Sequence, residues 1–163
     1  MKSTAKRWML DITAWTAGLL AGMVLLAHEA MAGGKLTAPA NERWKAECGS
    51  CHLAYPPGLL PATAWREVMS GLGKHFGTDA SLEPAAAAEI GAYLERYGAG
   101  GRRAQAVPKN LRITESAWFV REHDEVAAGV WQRPAVKSAA NCAACHTDAE
   151  RGDLRERNLR IPR

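Results

Sequence analysis

The chain has 163 residues, with 4 cysteines, 5 histidines, a formal charge of +4, and 47% hydrophobic but only 7% aromatic residues. That length holds one domain or two small ones, and the balance argues against a wholly disordered chain, a collagen-like one and a multi-span membrane protein. Four cysteines are too few for a dense disulfide scaffold.

Residues 1–32 read as a secretory signal rather than as part of the fold. Lys2, Lys6 and Arg7 make a basic start, an apolar stretch runs from Thr16 to Ala27, and Ala30-Met31-Ala32 offers a small-x-small cleavage site. Two readings stand, cleavage after Ala32 or retention as an anchor. The apolar run is shorter than the roughly 20 residues that cross a bilayer, and Asp11 precedes it, which favours cleavage. The mature chain then keeps 18 basic and 15 acidic residues, four histidines and a single methionine, Met69. No long basic run remains to mark a nucleic-acid binder, and no membrane insertion is expected once the signal is gone.

A helix beginning at Asn41 delivers Cys48-Gly49-Ser50-Cys51-His52, and a turn-rich loop, Tyr55-Pro56-Pro57-Gly58, follows. Pro61 starts a second helix, in which Trp65, Val68, Met69 and Leu72 fall at i, i+3, i+4 and i+7 on one face. His75 lies just beyond, among Gly71, Gly73 and Gly77, where the backbone could approach a flat ring closely. A third helix opens at Glu83-Pro84 and ends at Gly98, with Ile90, Tyr93, Leu94 and Tyr97 as its apolar stripe. Residues 99–109, rich in glycine and arginine, read as a linker. The remaining 110–163 carry a helix expected to be capped by Thr114 and to present Phe119 and His123 on one face, then Cys142-Ala143-Ala144-Cys145-His146. Trp44, Trp65, Trp118 and Trp131 are expected to pack in the core or against a cofactor. The arginine-rich tail reads as a solvated or propionate-pairing surface, with a docking patch as the alternative.

Both five-residue motifs match the pattern for c-type haem attachment. Two thiols form thioethers to the vinyl groups on one porphyrin edge, and the next residue reaches the iron, so Cys48, Cys51, Cys142 and Cys145 are the attachment sites. His52 and His146 are the proximal ligands. Zinc pairs normally stand about 15–20 residues apart and give no reason for the histidines, whereas these motifs begin 94 residues apart. A thioredoxin-like pair would want a βαβ context that is missing. The sixth ligands must come from His75, His123 and Met69. Met69 sits where core packing is the simpler account, and His75 is preferred at the first haem. His123 lies among Glu122, Asp124 and Glu125, as a surface histidine would, yet the second half contains no methionine to take its place. Four mature histidines for two irons is the count that bis-histidine ligation needs. Histidine in place of methionine lowers the potential, so both haems are expected below the range of His/Met cytochromes c. His75 follows His52 by 23 residues, whereas His123 precedes His146 by 23. The halves are therefore not a duplicated repeat.

The stretches Glu47–Pro61, His75-Phe76-Gly77, Arg121-Glu122-His123, Ala140–His146 and Ile161-Pro162-Arg163 resemble the small periplasmic dihaem cytochromes c known as DHC. The resemblance implies an all-α fold, with a class I cytochrome c-like haem domain at residues 33–98 and a small, mostly helical or irregular haem domain at 110–163. It implies two covalently bound haem c groups with bis-histidine ligation, and electron transfer in the periplasm rather than enzymatic turnover. It further implies a small high-spin monohaem cytochrome c as acceptor and a membrane b-type cytochrome as donor. The alternative is peroxidase-like catalysis or gas sensing at one open haem.

Overall fold

Asparagine before an acidic residue is a strong helix start, and Asn41 accepts a hydrogen bond from the Trp44 amide (2.7 Å) to open α1, Glu42–Cys48. In the computed structural model, which describes residues 36, 38–104 and 107–163, α1 is followed by α2 (Ala62–Ser70), α3 (Pro84–Tyr97), α4 (Gly101–Ala104), α5 (Ala117–Glu122) and α6 (Ala128–Trp131). The signal expected at residues 1–32 lies outside the described residues. Short 3-10 turns fill much of the rest, and among the described residues there is no strand, only the isolated bridges His75↔Thr78 and His146↔Leu159. The fold is all-α, as expected. No helix among the described residues is long and apolar enough to cross a membrane.

Pro61 precedes α2 and Pro84 begins α3, where a missing amide donor costs nothing. The two helices pack together. The expected stripe on α3 is largely buried, with Ile90, Tyr93 and Leu94 inside together with Ala86, and Tyr97 half-buried. Leu60, Ala64, Trp65, Ile90, Tyr93 and Leu94 make the first apolar cluster, and Tyr97, Met69 and Trp44 pack on its edge. Leu60, Ile90 and Leu94 are 2% exposed or less, so each contributes roughly 1.5–3 kcal/mol by leaving water. Gly98 ends α3 as expected but for a different reason. Its φ of −60° needs no glycine, whereas a Cβ there would stand 2.8 Å from the Ala62 amide nitrogen. Glycine lets the end of α3 meet the start of α2.

The second apolar cluster comprises Leu59, Trp118, Phe119, Ala149 and Leu154. Leu59 and Leu60 are neighbours that enter different clusters, and Ile113 and Tyr55 abut both. Residues 99–109 hold the helical turn α4. Lys35–Arg163 form one compact unit, tied across its length by Leu36 N–H donating to the Gly152 carbonyl (2.8 Å). Gly152 has φ +67°, and a Cβ would meet Leu36 O at 2.5 Å, so that contact too depends on glycine. One expected cap is corrected. Ile113–Glu115 form a 3-10 turn, and Ser116, extended at φ −65° and ψ 143°, accepts from the Phe119 amide (3.1 Å) in the role expected of Thr114.

Candidate functional site: two facing histidine pairs

The first motif begins on the last residue of α1, so the helix aims Cys48 and the turn after it brings round Cys51 and His52. The His52 ring hydrogen-bonds through Nδ1–H to the Leu53 carbonyl (2.7 Å) and stacks on Tyr55 at 4.8 Å and 22°. A carbonyl can only accept, so Nδ1 carries a proton, and in the neutral ring Nε2 is then the nitrogen with the free lone pair. His75 faces His52 with ring centroids 6.2 Å apart and planes at 25°.

The second motif forms a 3-10 turn, Cys142–Ala144, with His146 held by its amide donating to Cys142 O (2.9 Å). Its partner His123 follows α5 and repeats the device of His52, since Nδ1–H donates to the Phe119 carbonyl (2.9 Å). Phe119 lies flat against the imidazole at 4.0 Å and 17°, and Trp131 stands 5.8 Å away. His123 and His146 are 6.1 Å apart with planes at 82°. His146 Nδ1 is buried with no hydrogen-bond partner. Burial, and then the neighbouring imidazole, lowers the pKa of both His75 and His146. Neutral rings able to bind a metal are favoured accordingly.

The arrangement fits haem. An iron bonded to two imidazoles at about 2 Å separates their ring centroids by about 6 Å, and both pairs meet that spacing. The two motifs supply all four cysteines, Cys48, Cys51, Cys142 and Cys145, and none of them is in a disulfide. A groove of about 630 Å³ is lined by Trp44, Cys51, His52, Tyr55, Asn141 and Ala143, residues from both motif segments. A second groove, of about 620 Å³ between α2 and α3, contains Met69 and Glu95 but no cysteine or histidine. Among the described residues no cluster of three or more histidine, cysteine or acidic side chains could hold a bare metal ion.

Tyr55 was not singled out by the sequence as a site residue. Its hydroxyl donates to the Ala140 carbonyl (2.8 Å), two residues before Cys142, so one side chain touches His52 and the approach to the second motif. Burial pushes the hydroxyl up to about 12, and it remains a donor across the physiological range. Asp153 was also missed. It is 6% exposed and accepts from Arg155 (Nε, 2.7 Å) and Asn158 (Nδ2, 3.2 Å). Tyr55 lies three residues after the motif histidine His52, a spacing that could have drawn attention to it; Asp153 had no such signal.

An all-helical chain with two Cys-x-x-Cys-His motifs, each histidine facing a second one, defines a c-type cytochrome with two haems. The family model described as dihaem cytochrome c, DHC, matches residues 44–154, and the chain belongs to that family. No curated protein matches it. Among solved structures, the chain is similar to the diheme cytochrome type c from Shewanella baltica OS155, at 42% identity and a TM-score of 0.67, over 77% of this chain and 95% of that one. It is also similar to the diheme cytochrome c from Rhodobacter sphaeroides, at 40% identity and a TM-score of 0.63, over 71% of this chain and 98% of that one. A second structure from that organism, DHC purified from Rhodobacter sphaeroides, gives 42% identity and a TM-score of 0.62, over 72% of this chain and 99% of that one. The protein carries two covalently bound haem c groups and serves haem-based electron transfer between redox partners.

Proposed function

We propose a periplasmic electron carrier with two low-potential, low-spin haems. Cys48 and Cys51 hold the first in residues 33–98, and Cys142 and Cys145 the second in residues 110–163. His52 with His75, and His123 with His146, are the axial pairs. The observation that carries this reading is the pair of ring separations, 6.2 and 6.1 Å.

When bound, each haem supplies a one-electron Fe(III)/Fe(II) couple. The residues do the rest. The Leu53 and Phe119 carbonyls fix the tautomers of His52 and His123, which present the same Nε2 lone pair in both oxidation states. With little ligand movement the reorganisation accompanying electron transfer is small. Two neutral imidazoles stabilise Fe(III) better than imidazole plus thioether, which places both potentials below those of His/Met cytochromes c. Family resemblance supports a small high-spin monohaem cytochrome c as acceptor and a membrane b-type cytochrome as donor. EPR of the oxidised protein should show two low-spin signals and no high-spin iron, and a potentiometric titration should resolve two waves, both below the His/Met range. A wave within that range, or high-spin iron in the untreated protein, would refute the assignment.

A further inference from the structure

The two distal histidines are held in different ways. His123 follows a helix, bonds to a carbonyl of that helix and lies flat on Phe119. His75 instead opens a four-residue turn, His75-Phe76-Gly77-Thr78, closed by the Thr78 amide donating to His75 O (3.0 Å). Both central residues have positive φ, +48° at Phe76 and +98° at Gly77. That turn suits glycine and strains phenylalanine. The strained residue is the one that touches the ligand, since the Phe76 ring meets His75 edge-on at 4.8 Å.

What covers Phe76 is Arg112, whose guanidinium carbon lies 4.6 Å from the ring centroid. The backbone at Arg112 is held in place. Its amide donates to the Asn110 side chain (3.1 Å), and the Asn110 amide group donates to Glu115 (2.7 Å), which lies 3.9 Å from the guanidinium. Leu111 between them has φ +61°. This segment leads straight through Ile113–Glu115 and the Ser116 cap into α5 and His123.

We propose that Phe76 and Arg112 form a latch on His75, which makes His75 the displaceable ligand and the first haem the one that admits a small neutral ligand. The proposal rests on His75 being the sixth ligand of the first haem. When the latch opens, the turn relaxes and His75 swings away, while His123 stays bonded to the Phe119 carbonyl. The segment that carries the latch also leads to His123, so the hold on one distal ligand is set by residues joined to the other.

The probe is carbon monoxide, added to the reduced, full-length holoprotein and followed by optical absorption. Uptake should saturate at one equivalent per chain. Arg112→Ala and Phe76→Leu should each speed it about two- to fivefold, the size of an exposed cation–π contact. Arg112→Lys should restore most of the slow rate, and the double variant should be no faster than the faster single one, because both act through one contact. The EPR signal of the second haem should be unchanged throughout, which also verifies folding. In His75→Ala the slow phase that depends on Arg112 should vanish. No uptake by any variant, additive effects, or persistence of that slow phase in His75→Ala would overturn the latch. High-spin iron in the untreated oxidised protein would instead show that the ligand assignment itself is wrong, and the latch would fall with it.

Discussion

Removing His75 and His123 in turn tests the proposed axial pairs most directly, because the two pairs differ in ring orientation. His75 and His52 are 25° from parallel, whereas His123 and His146 are 82° apart. Each imidazole donates π density into the iron d orbital perpendicular to its own plane. Near-parallel rings load one orbital and split the pair, giving a rhombic low-spin spectrum; near-perpendicular rings load both, giving a strongly anisotropic one. One haem of two is changed in each variant, so half of the integrated low-spin intensity should convert to high spin. In His75→Ala the surviving signal should be the strongly anisotropic one, and in His123→Ala the rhombic one. The assay is low-temperature EPR of oxidised protein with spin quantitation. Full low-spin intensity in His75→Ala would transfer the sixth position to another group, Met69 first. Survival of the wrong signal in either variant would refute the pairing of rings described here.

Three further outcomes follow from contacts outside the axial pairs. Tyr55→Phe removes the bond to Ala140 but keeps the ring on His52, and the exposed Ala140 carbonyl can rehydrate; urea unfolding should show a loss of about 0.5–1 kcal/mol, with EPR unchanged. Ser116→Ala leaves the buried Phe119 amide without its cap, and a thermal melt should report about 1–2 kcal/mol of destabilisation. Hydrogen bonds and charge from Arg155 hold the Asp153 carboxyl well below the usual carboxylate range. A depressed folded pKa gives stability that is whole above the unfolded value and lost as pH falls toward the folded one. Asp153→Asn should therefore lower the melting temperature at neutral pH, and the gap should narrow as pH falls below about 4.

The chemistry was legible in the sequence because haem attachment is local. Two thiols and a histidine must fit one porphyrin edge, and that fits in five residues. Helix starts were legible for a similar reason, since Asn41, Pro61 and Pro84 act within a turn of themselves. The cap on α5 was misread because two hydroxyls lie two residues apart, and only the 3-10 turn at Ile113–Glu115 decides between Thr114 and Ser116. Gly98 and Gly152 show what a sequence hides. Each is required by a backbone atom far along the chain, Ala62 N in one case and Leu36 O in the other. Tyr55 and Arg112 escaped notice likewise, because their partners Ala140 and Phe76 lie 85 and 36 residues away.

The two histidine pairs match in separation while almost everything around them differs, and the difference follows from how much core each half can build. The first half has α2 and α3 to bury Leu60, Ile90 and Leu94, and it can leave His75 on an exposed turn. The second half has only short helices and 3-10 turns, and its apolar cluster borrows Leu59 from the first. Its loops are held by polar and backbone contacts instead: Asp153 with Arg155 and Asn158, Thr147 Oγ1 donating to Asn158 O (3.1 Å), and Arg160 N–H donating to Cys145 O (2.8 Å). Such contacts each contribute little net stability in water. A pocket built this way gains more from wrapping a large apolar porphyrin than a pocket with its own helical core does. Phe119, flat against His123 and part of the second cluster, joins that imidazole to the core of its half, whereas His75 stands on an exposed turn.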